Sequence, residues 1–247
     1  MEIVGALLAG SFIGAVLGFI GAGGAMLSVP LLIYFFGFTP HAASTAALAI
    51  VFCAAASGAI PKFRAREVLI REALTIWSLG LITNIGGSWI AHRLSETAII
   101  TGFSFVLIFA GTSMLIKPVT GTEKRMPLAI LILVSLVIGL MTGLFGIGGG
   151  FLAIPVLVLF FKTPQNKAAG TSLFIISINS LTALLGHRNN WAAVSWHIPL
   201  TMALTAVIIA SLASHHSSKV SAVLLRRGFA YLLYSVAAFT LIQTYFF

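Results

Sequence analysis

Apolar runs follow one another along almost the whole chain, with only short polar stretches between them, and this succession dictates what the sequence can become. The runs lie at about 3–20, 25–37, 41–60, 72–91 and 95–116, then at about 127–144, 150–161, 165–186, 196–213 and 222–246. A helical crossing of a bilayer needs roughly 20 predominantly apolar residues. No water satisfies backbone N–H and C=O groups in hydrocarbon, so such runs must be helices. The runs beginning near Ala25 and Gly150 hold only about a dozen residues, short for a straight crossing. Each follows a glycine cluster and contains a proline, Pro30 or Pro155.

Composition removes the competing classes. Hydrophobic residues make up 59% and charged residues 8% of the 247, against about a quarter charged in soluble domains. A soluble globule of this length would lack polar cover for its surface. The same figures exclude disorder, and a lone Cys53 excludes a disulfide scaffold. The expected class is an all-α, multi-pass integral membrane protein with the lipid bilayer as its partner. A formal charge of +9 would suggest nucleic acid in a soluble chain. Here the basic residues fall almost wholly between apolar runs, where they signal topology, and no nucleic-acid partner is expected. The start, Met1-Glu2-Ile3-Val4, lacks the basic region of a cleavable leader.

The strongest internal signal is a repeat. Gly18, Gly21, Gly23, Gly24, Leu27 and Pro30 align without a gap with Gly143, Gly146, Gly148, Gly149, Leu152 and Pro155. Downstream, Ala42-Ala-Ser-Thr45 resembles Ala168-Ala-Gly-Thr171 after a small insertion. Charge orients the two copies. Lys62, Arg64, Arg66 and Arg71 crowd one loop, whose counterpart carries Arg188 alone; Gly37–Pro40 has no basic residue, whereas its counterpart has Lys162 and Lys167. The turn near Ser95 has Arg93, and the later equivalent has Lys219, Arg226 and Arg227. Basic loops stay cytoplasmic, so equivalent loops should face opposite sides. The expected architecture is two inverted-topology repeats of about five helical segments each, with short half-helices broken by glycine. The first repeat spans 1–116, a cytoplasmic linker 117–126, and the second repeat 127–247, with both termini outside.

The glycine clusters interrupt apolar sequence where glycine weakens a helix. Helices starting near Ala25 and Gly150 would aim free N–H groups and positive dipole ends at the break, an arrangement that favours anions. The substrate-binding residues expected here are Gly23, Gly24 and Ala25 with Gly148, Gly149 and Gly150. Hydroxyls and amides near the breaks would donate hydrogen bonds: Thr45 and Thr171 from the repeated motif, with Ser172 and Asn179. Ser28, Ser44, Ser177, Ser180 and Asn84 are further polar residues nearby whose simplest role is bonding within the helix bundle. The glycines do not form a dinucleotide fingerprint, since no strand–helix–strand unit accompanies them.

Catalysis, metals and cofactors find little support. The chain has no Asp, so a Ser/His/Asp set is ruled out. His41, His92, His187, His197, His215 and His216 show no metal-ligand pairing and read as interfacial or loop residues, with His215-His216 in a polar connection. Cys53 reads as a small buried hydrophobe, and Trp77, Trp89, Trp191 and Trp196 as interface anchors or packing residues. Glu2, Glu67, Glu72, Glu96 and Glu123 all avoid the middle of the apolar runs. Cation transporters usually place acids or histidines on the pathway. A small anion held by dipoles and hydroxyls fits better, guided by Lys62, Lys162, Lys167 and Arg188 at the entrances.

Two copies of a Gly-x-Gly-Gly-x5-Pro pattern, Gly21–Pro30 and Gly146–Pro155, resemble the TauE/SafE sulfite exporter family of membrane transporters. Also similar are Ala168-Ala-Gly-Thr-Ser-Leu173 and the basic Pro61–Arg66 loop, so the resemblance covers essentially the whole chain. It implies a multi-pass permease of the cell inner (plasma) membrane that handles small anionic sulfur substrates such as sulfite or organosulfonates, often outward. The first copy departs at Ala25 and Ala46–Ala47, where the second has Gly150 and Ser172, so the halves would contribute unequally. The expected mechanism is rocking of one repeat or bundle against the other, which alternates access. An anion channel, or a carrier for another small anion such as a carboxylate, are the competing expectations.

Overall fold

The computed structural model describes residues 2–91, 93–115, 127–145 and 150–246. Among them lie ten α-helices, one short 3-10 helix and no strand. The first five are α1 (Glu2–Ile20), α2 (Gly24–Phe36), α3 (Pro40–Arg64), α4 (Ile70–Ala91) and α5 (Glu96–Leu115). The second five are α6 (Leu128–Phe145), α7 (Gly150–Phe161), α8 (Gln165–Gly186), α9 (His197–Ser217) and α10 (Ala222–Phe246), with the 3-10 turn at Arg188–Ala193. Seven of the described helices are long and apolar enough to cross a membrane; the described part of α6 is a shorter apolar helix, as is α2, and α7 has 12 residues. Large apolar side chains such as Phe35, Ile85, Phe105 and Phe109 stand exposed on the outside of the bundle, as suits a surface solvated by lipid.

Helices in lipid gain nothing from hydrophobic burial against each other, so small residues that let backbones approach decide which pairs form. On α1, Gly10, Gly14 and Gly18 recur every four residues, and a Cβ on each would strike the backbone of α9 at Met202, Ala206 and Ala210. On α6, Gly139 and Gly143 meet the backbone of α4 at Gly80 and Asn84 in the same way. These are the two most extensive helix contacts, and each joins the first helix of one half to the fourth helix of the other. The halves are thus interlocked.

The third helices, α3 and α8, pack centrally and run antiparallel. The start of α3 meets the end of α8, where Thr45 Oγ1 lies 3.1 Å from His187 Nδ1. The start of α8 meets the end of α3, where Leu69 N–H donates to Thr171 Oγ1 at 3.0 Å. The fifth helices also run antiparallel, tied by Thr101–Tyr245, Ser104–Thr240 and Thr112–Tyr234 hydroxyl contacts of 2.8–2.9 Å. Local geometry repeats with the sequence. The short helices α2 and α7 both end on a left-handed residue, Gly37 (φ 67°) and Lys162 (φ 55°). In each case the next N–H reaches back to a helix carbonyl at 3.0 Å, Phe38 to Leu32 and Thr163 to Leu157.

The structure departs from the sequence expectations at three places. Helix α3 continues through Pro61 to Arg64, which shortens the basic loop expected from Pro61. Proline removes a single rung there, and Ala65 N–H still reaches the Pro61 carbonyl at 3.0 Å. His215 and His216 lie in the last turn of α9 and not in a connection; basic side chains suit a helix C-terminus. The segment expected as a plain loop after α8 winds into the 3-10 turn, held by Trp191 Nε1 donating to the Leu184 carbonyl at 3.0 Å. The linker 117–126 lies outside the described residues.

Candidate functional site

A cavity of about 400 Å³ lies among α2, α3, α4, α6 and α8. Two of these helices present one face each to it, read directly from the spacing. On α3 the face is Ser44, Ala47, Leu48 and Val51; on α8 it is Ile176, Asn179, Ser180, Ala183 and His187. Both follow the three-and-four step of a helix surface. Leu81 and Asn84 of α4 and Thr142 of α6 complete the wall.

The break between α1 and α2 forms the cavity's inner lip. Gly21 and Gly23 adopt φ 83° and 94°, where a side chain would be strained. A Cβ on Gly21 would also come within 2.7 Å of Ala169 Cα, so the turn lies against α8. Gly23 and Gly24 line the cavity. The helical ladder begins with Leu27 N–H to the Gly23 carbonyl at 3.2 Å. The N–H groups of Gly24 and Met26 precede that rung and have no backbone partner among the described residues. The positive end of α2 therefore points at the break.

Most hydroxyls within the helices turn back on their own backbone. Ser28 donates to the Gly24 carbonyl, Thr142 to Ile138 and Thr182 to Ile178, at 2.7–2.8 Å. Thr142 and Thr182 are among the residues that line the cavity, but four other polar residues there behave differently. Ser44, Asn84, Asn179 and Ser180 line it, and none makes a side-chain hydrogen bond to another described residue. Two amides supply four N–H donors and two acceptor oxygens, and each hydroxyl can donate or accept. No carboxylate stands among the lining residues. The chemistry on offer is neutral hydrogen bonding with a bias toward negative guests from the α2 terminus.

The expected site residues divide. Gly23, Gly24 and Asn179 come together at the cavity, and Ala25 follows in the first turn of α2. Thr45 lies one residue from the lining Ser44 and is fully buried; its hydroxyl donates to the His41 carbonyl at 3.0 Å and meets His187. Thr171 is likewise buried at the other end of the α3–α8 pair, donating to the Lys167 carbonyl at 2.7 Å and accepting from Leu69. Ser172 is fully buried beside it. Gly150 opens α7, while Gly148 and Gly149 lie outside the described residues.

The sequence marks Ser44, Asn84 and Ser180 only as polar neighbours of the breaks whose simplest role is structural, and it does not mark His187 as a site residue. His187 was grouped with loop histidines, yet it sits at the C-cap of α8 on the lining face. Its spacing of eight from Asn179 was the available signal. Asn84 follows Gly80 by four on α4, on the face that meets α6.

At the end of α3 opposite the cavity's His187, Lys62 Nζ donates to Glu67 Oε2 at 2.8 Å. The lysine side chain is 2% exposed and the glutamate 20%. Gly170 packs over the pair, its Cβ position 3.0 Å from Lys62 Cβ and against the Glu67 carbonyl. Lys62, Thr171 and Ser172 are all buried at that end.

Comparison with known proteins places this arrangement. The family model described as "Sulfite exporter TauE/SafE" matches residues 6–240. The chain is 27% identical over 241 residues to a "probable membrane transporter protein" of Xylella fastidiosa, covering 94% of this chain and 92% of the relative. It is 24% identical over 234 residues to a Bacillus subtilis protein of the same description, with 84% of each chain covered. A Methanocaldococcus jannaschii relative, similarly described, is 34% identical over 91 residues, covering 35% of this chain and 34% of its own length.

Proposed function

Because the chain belongs to the sulfite exporter TauE/SafE family of membrane transporters, we propose that it carries small sulfur-containing anions, such as sulfite or organosulfonates, across the cell inner (plasma) membrane. One observation carries the reading. Ser44, Asn84, Asn179 and Ser180 offer unused hydrogen bonds around a cavity of about 400 Å³ that the α2 N-terminus borders and no carboxylate lines. A cation would find no negative partner there. An oxyanion finds amide, hydroxyl and backbone donors.

The antiparallel packing of equivalent helices, α3 on α8 and α5 on α10, supports two inverted repeats, 1–116 and 127–247, with 117–126 between them. Basic loops mark the Lys62–Arg66 end of α3 as cytoplasmic, so the cavity, reaching His187 at the other end, would open outward. In this reading the two repeated threonines act as latches at opposite ends of the α3–α8 pair. Thr171 holds the cytoplasmic end shut through Leu69, and Thr45 steadies His187 at the mouth. Because the halves interlock, the moving unit would be a bundle drawn from both; its rocking would release the first and bring Gly148, Gly149, Gly150 and Ser172 toward the substrate from the other side. Expelling one negative charge from an inside-negative cell releases about 2.3 kcal/mol per 100 mV, enough to drive export without a coupled ion.

The test is flux into proteoliposomes of purified protein with sulfite, thiosulfate, methanesulfonate and acetate. Saturable counterflow of the sulfur anions is expected. Single-channel currents would instead establish an anion channel, preference for acetate would move the substrate class to carboxylates, and flux of none of them would remove the reading.

A further inference from the structure

Beside the main cavity lies a small side chamber that shares Asn84, Thr142 and Asn179 with it. Trp77 of α4 and Gly139 of α6 also line the chamber. Its volume, about 10 Å³, gives room for about one water-sized group. Gly139 makes the chamber possible in its present shape, since it presses on the Gly80 backbone with no side chain between them.

Trp77 stands out among the tryptophans. Trp191 and Trp196 donate their indole N–H groups to carbonyls at 3.0 Å, and Trp89 lies under the Arg93 guanidinium at 3.7 Å. Trp77 Nε1 is buried with no partner among the described residues. An indole N–H can only donate, and a buried donor without an acceptor is unfavourable. The Asn84 and Asn179 amides at the chamber mouth have their donors unused as well. Thr142 has committed its proton to the Ile138 carbonyl at 2.7 Å, so it keeps only acceptor capacity.

We infer that this chamber takes one oxygen of a three-oxygen sulfur anion seated at its mouth: the Asn84 and Asn179 amides hold two oxygens on the main-cavity side and the Trp77 indole N–H takes the third. The inference rests on the anion reading of the cavity and sharpens it. A sulfonate or sulfite presents three oxygens around sulfur; a carboxylate of the same charge presents two in one plane. The third donor therefore discriminates between the classes. Charge alone does not.

The experiment measures binding of methanesulfonate and acetate by calorimetry to wild-type and Trp77→Phe protein in nanodiscs. Phenylalanine keeps the apolar ring and removes the donor. Methanesulfonate affinity should fall about ten- to a hundredfold, the range for hydrogen bonds to charged groups, while acetate changes less than about twofold. In parallel, the wild-type protein labelled with 5-fluorotryptophan should show a ¹⁹F line, identified by its loss in Trp77→Phe, that moves with methanesulfonate and stays with acetate. Trp89→Phe serves as the control that leaves both affinities alone. Unchanged methanesulfonate affinity, equal losses for both anions, or a Trp77 line insensitive to methanesulfonate would each overturn the subsite while the anion reading stands. Wild-type protein that binds neither anion removes both.

Discussion

Breaking the Lys62–Glu67 pair should loosen the closed end of the bundle. At the observed 2.8 Å separation, Coulomb attraction is about 6 kcal/mol at an effective dielectric constant of about 20, and about 1.5 kcal/mol in bulk water. Desolvation offsets much of this, so the net value of the pair is far smaller. Removing one partner is a different matter, because it strands the other. For a fully buried pair that loss is about 3–5 kcal/mol, and the one-fifth exposure of Glu67 lowers it to about 2–3 kcal/mol. If the pair closes this end, Lys62→Met raises the population of the opened state about 30- to 150-fold. The assay uses a Cys53→Ala chain carrying Ala168→Cys, a position with no solvent exposure at the start of α8. Its labelling by a membrane-impermeant maleimide reports opening. The double variant Lys62→Met with Glu67→Gln should recover much of the closure, since no charge is left stranded. A labelling rate that stays at the wild-type value in Lys62→Met while the thermal midpoint falls would refute the reasoning: the pair would then hold the fold and not the gate.

Gly24→Leu drives a branched side chain against Leu17 at the cavity's lip, its Cβ 2.7 Å from Leu17 Cδ1, and so displaces the break; transport of the preferred anion should be lost with the folded yield retained, measured by flux and gel filtration. Gly139→Ala drives a methyl into the Gly80 backbone and should destabilise by about 1–3 kcal/mol. Gly86→Ala, where nothing lies within 4 Å, should be neutral or stabilise by up to about 1 kcal/mol; thermal unfolding in detergent compares the two. Cysteines replacing Arg66 and Asn190 should label from opposite sides of the membrane, the first from the cytoplasm. Labelling of both from one side would overturn the orientation.

Element positions were legible because the bilayer allows so few alternatives. Each of the ten apolar runs became a helix within a few residues of its expected bounds, since an unpaired backbone in hydrocarbon is prohibitive. The same pressure carried α3 through Pro61, where soluble-protein habits predict a stop. Which helix packs on which was harder. The glycines at 10, 14 and 18 and at 139 and 143 announced close-packing faces, but nothing local says that α1 waits for α9 and not for α4. The site was partly legible for a related reason. Gly23, Gly24 and Asn179 fall at a break or on a polar stripe that sequence displays. Trp77 hides, because a tryptophan in an apolar helix carries no mark of whether its N–H has a partner. Its spacing from Gly80 and Asn84, three and seven along α4, was the only trace.

The swapped packing of first and fourth helices bears on how the chain is made. Helix α1 ends at Ile20, and its partner α9 begins at His197, roughly 180 residues later, or about 10–35 s of synthesis. Through that interval the Gly10–Gly14–Gly18 stripe faces lipid or a borrowed partner. Neither half is then a self-sufficient folding unit during biogenesis, and assembly finishes only when α9, near the end of the polypeptide, has left the ribosome. A ribosome stalled before α9 would release a chain whose α1 is exposed to membrane quality control.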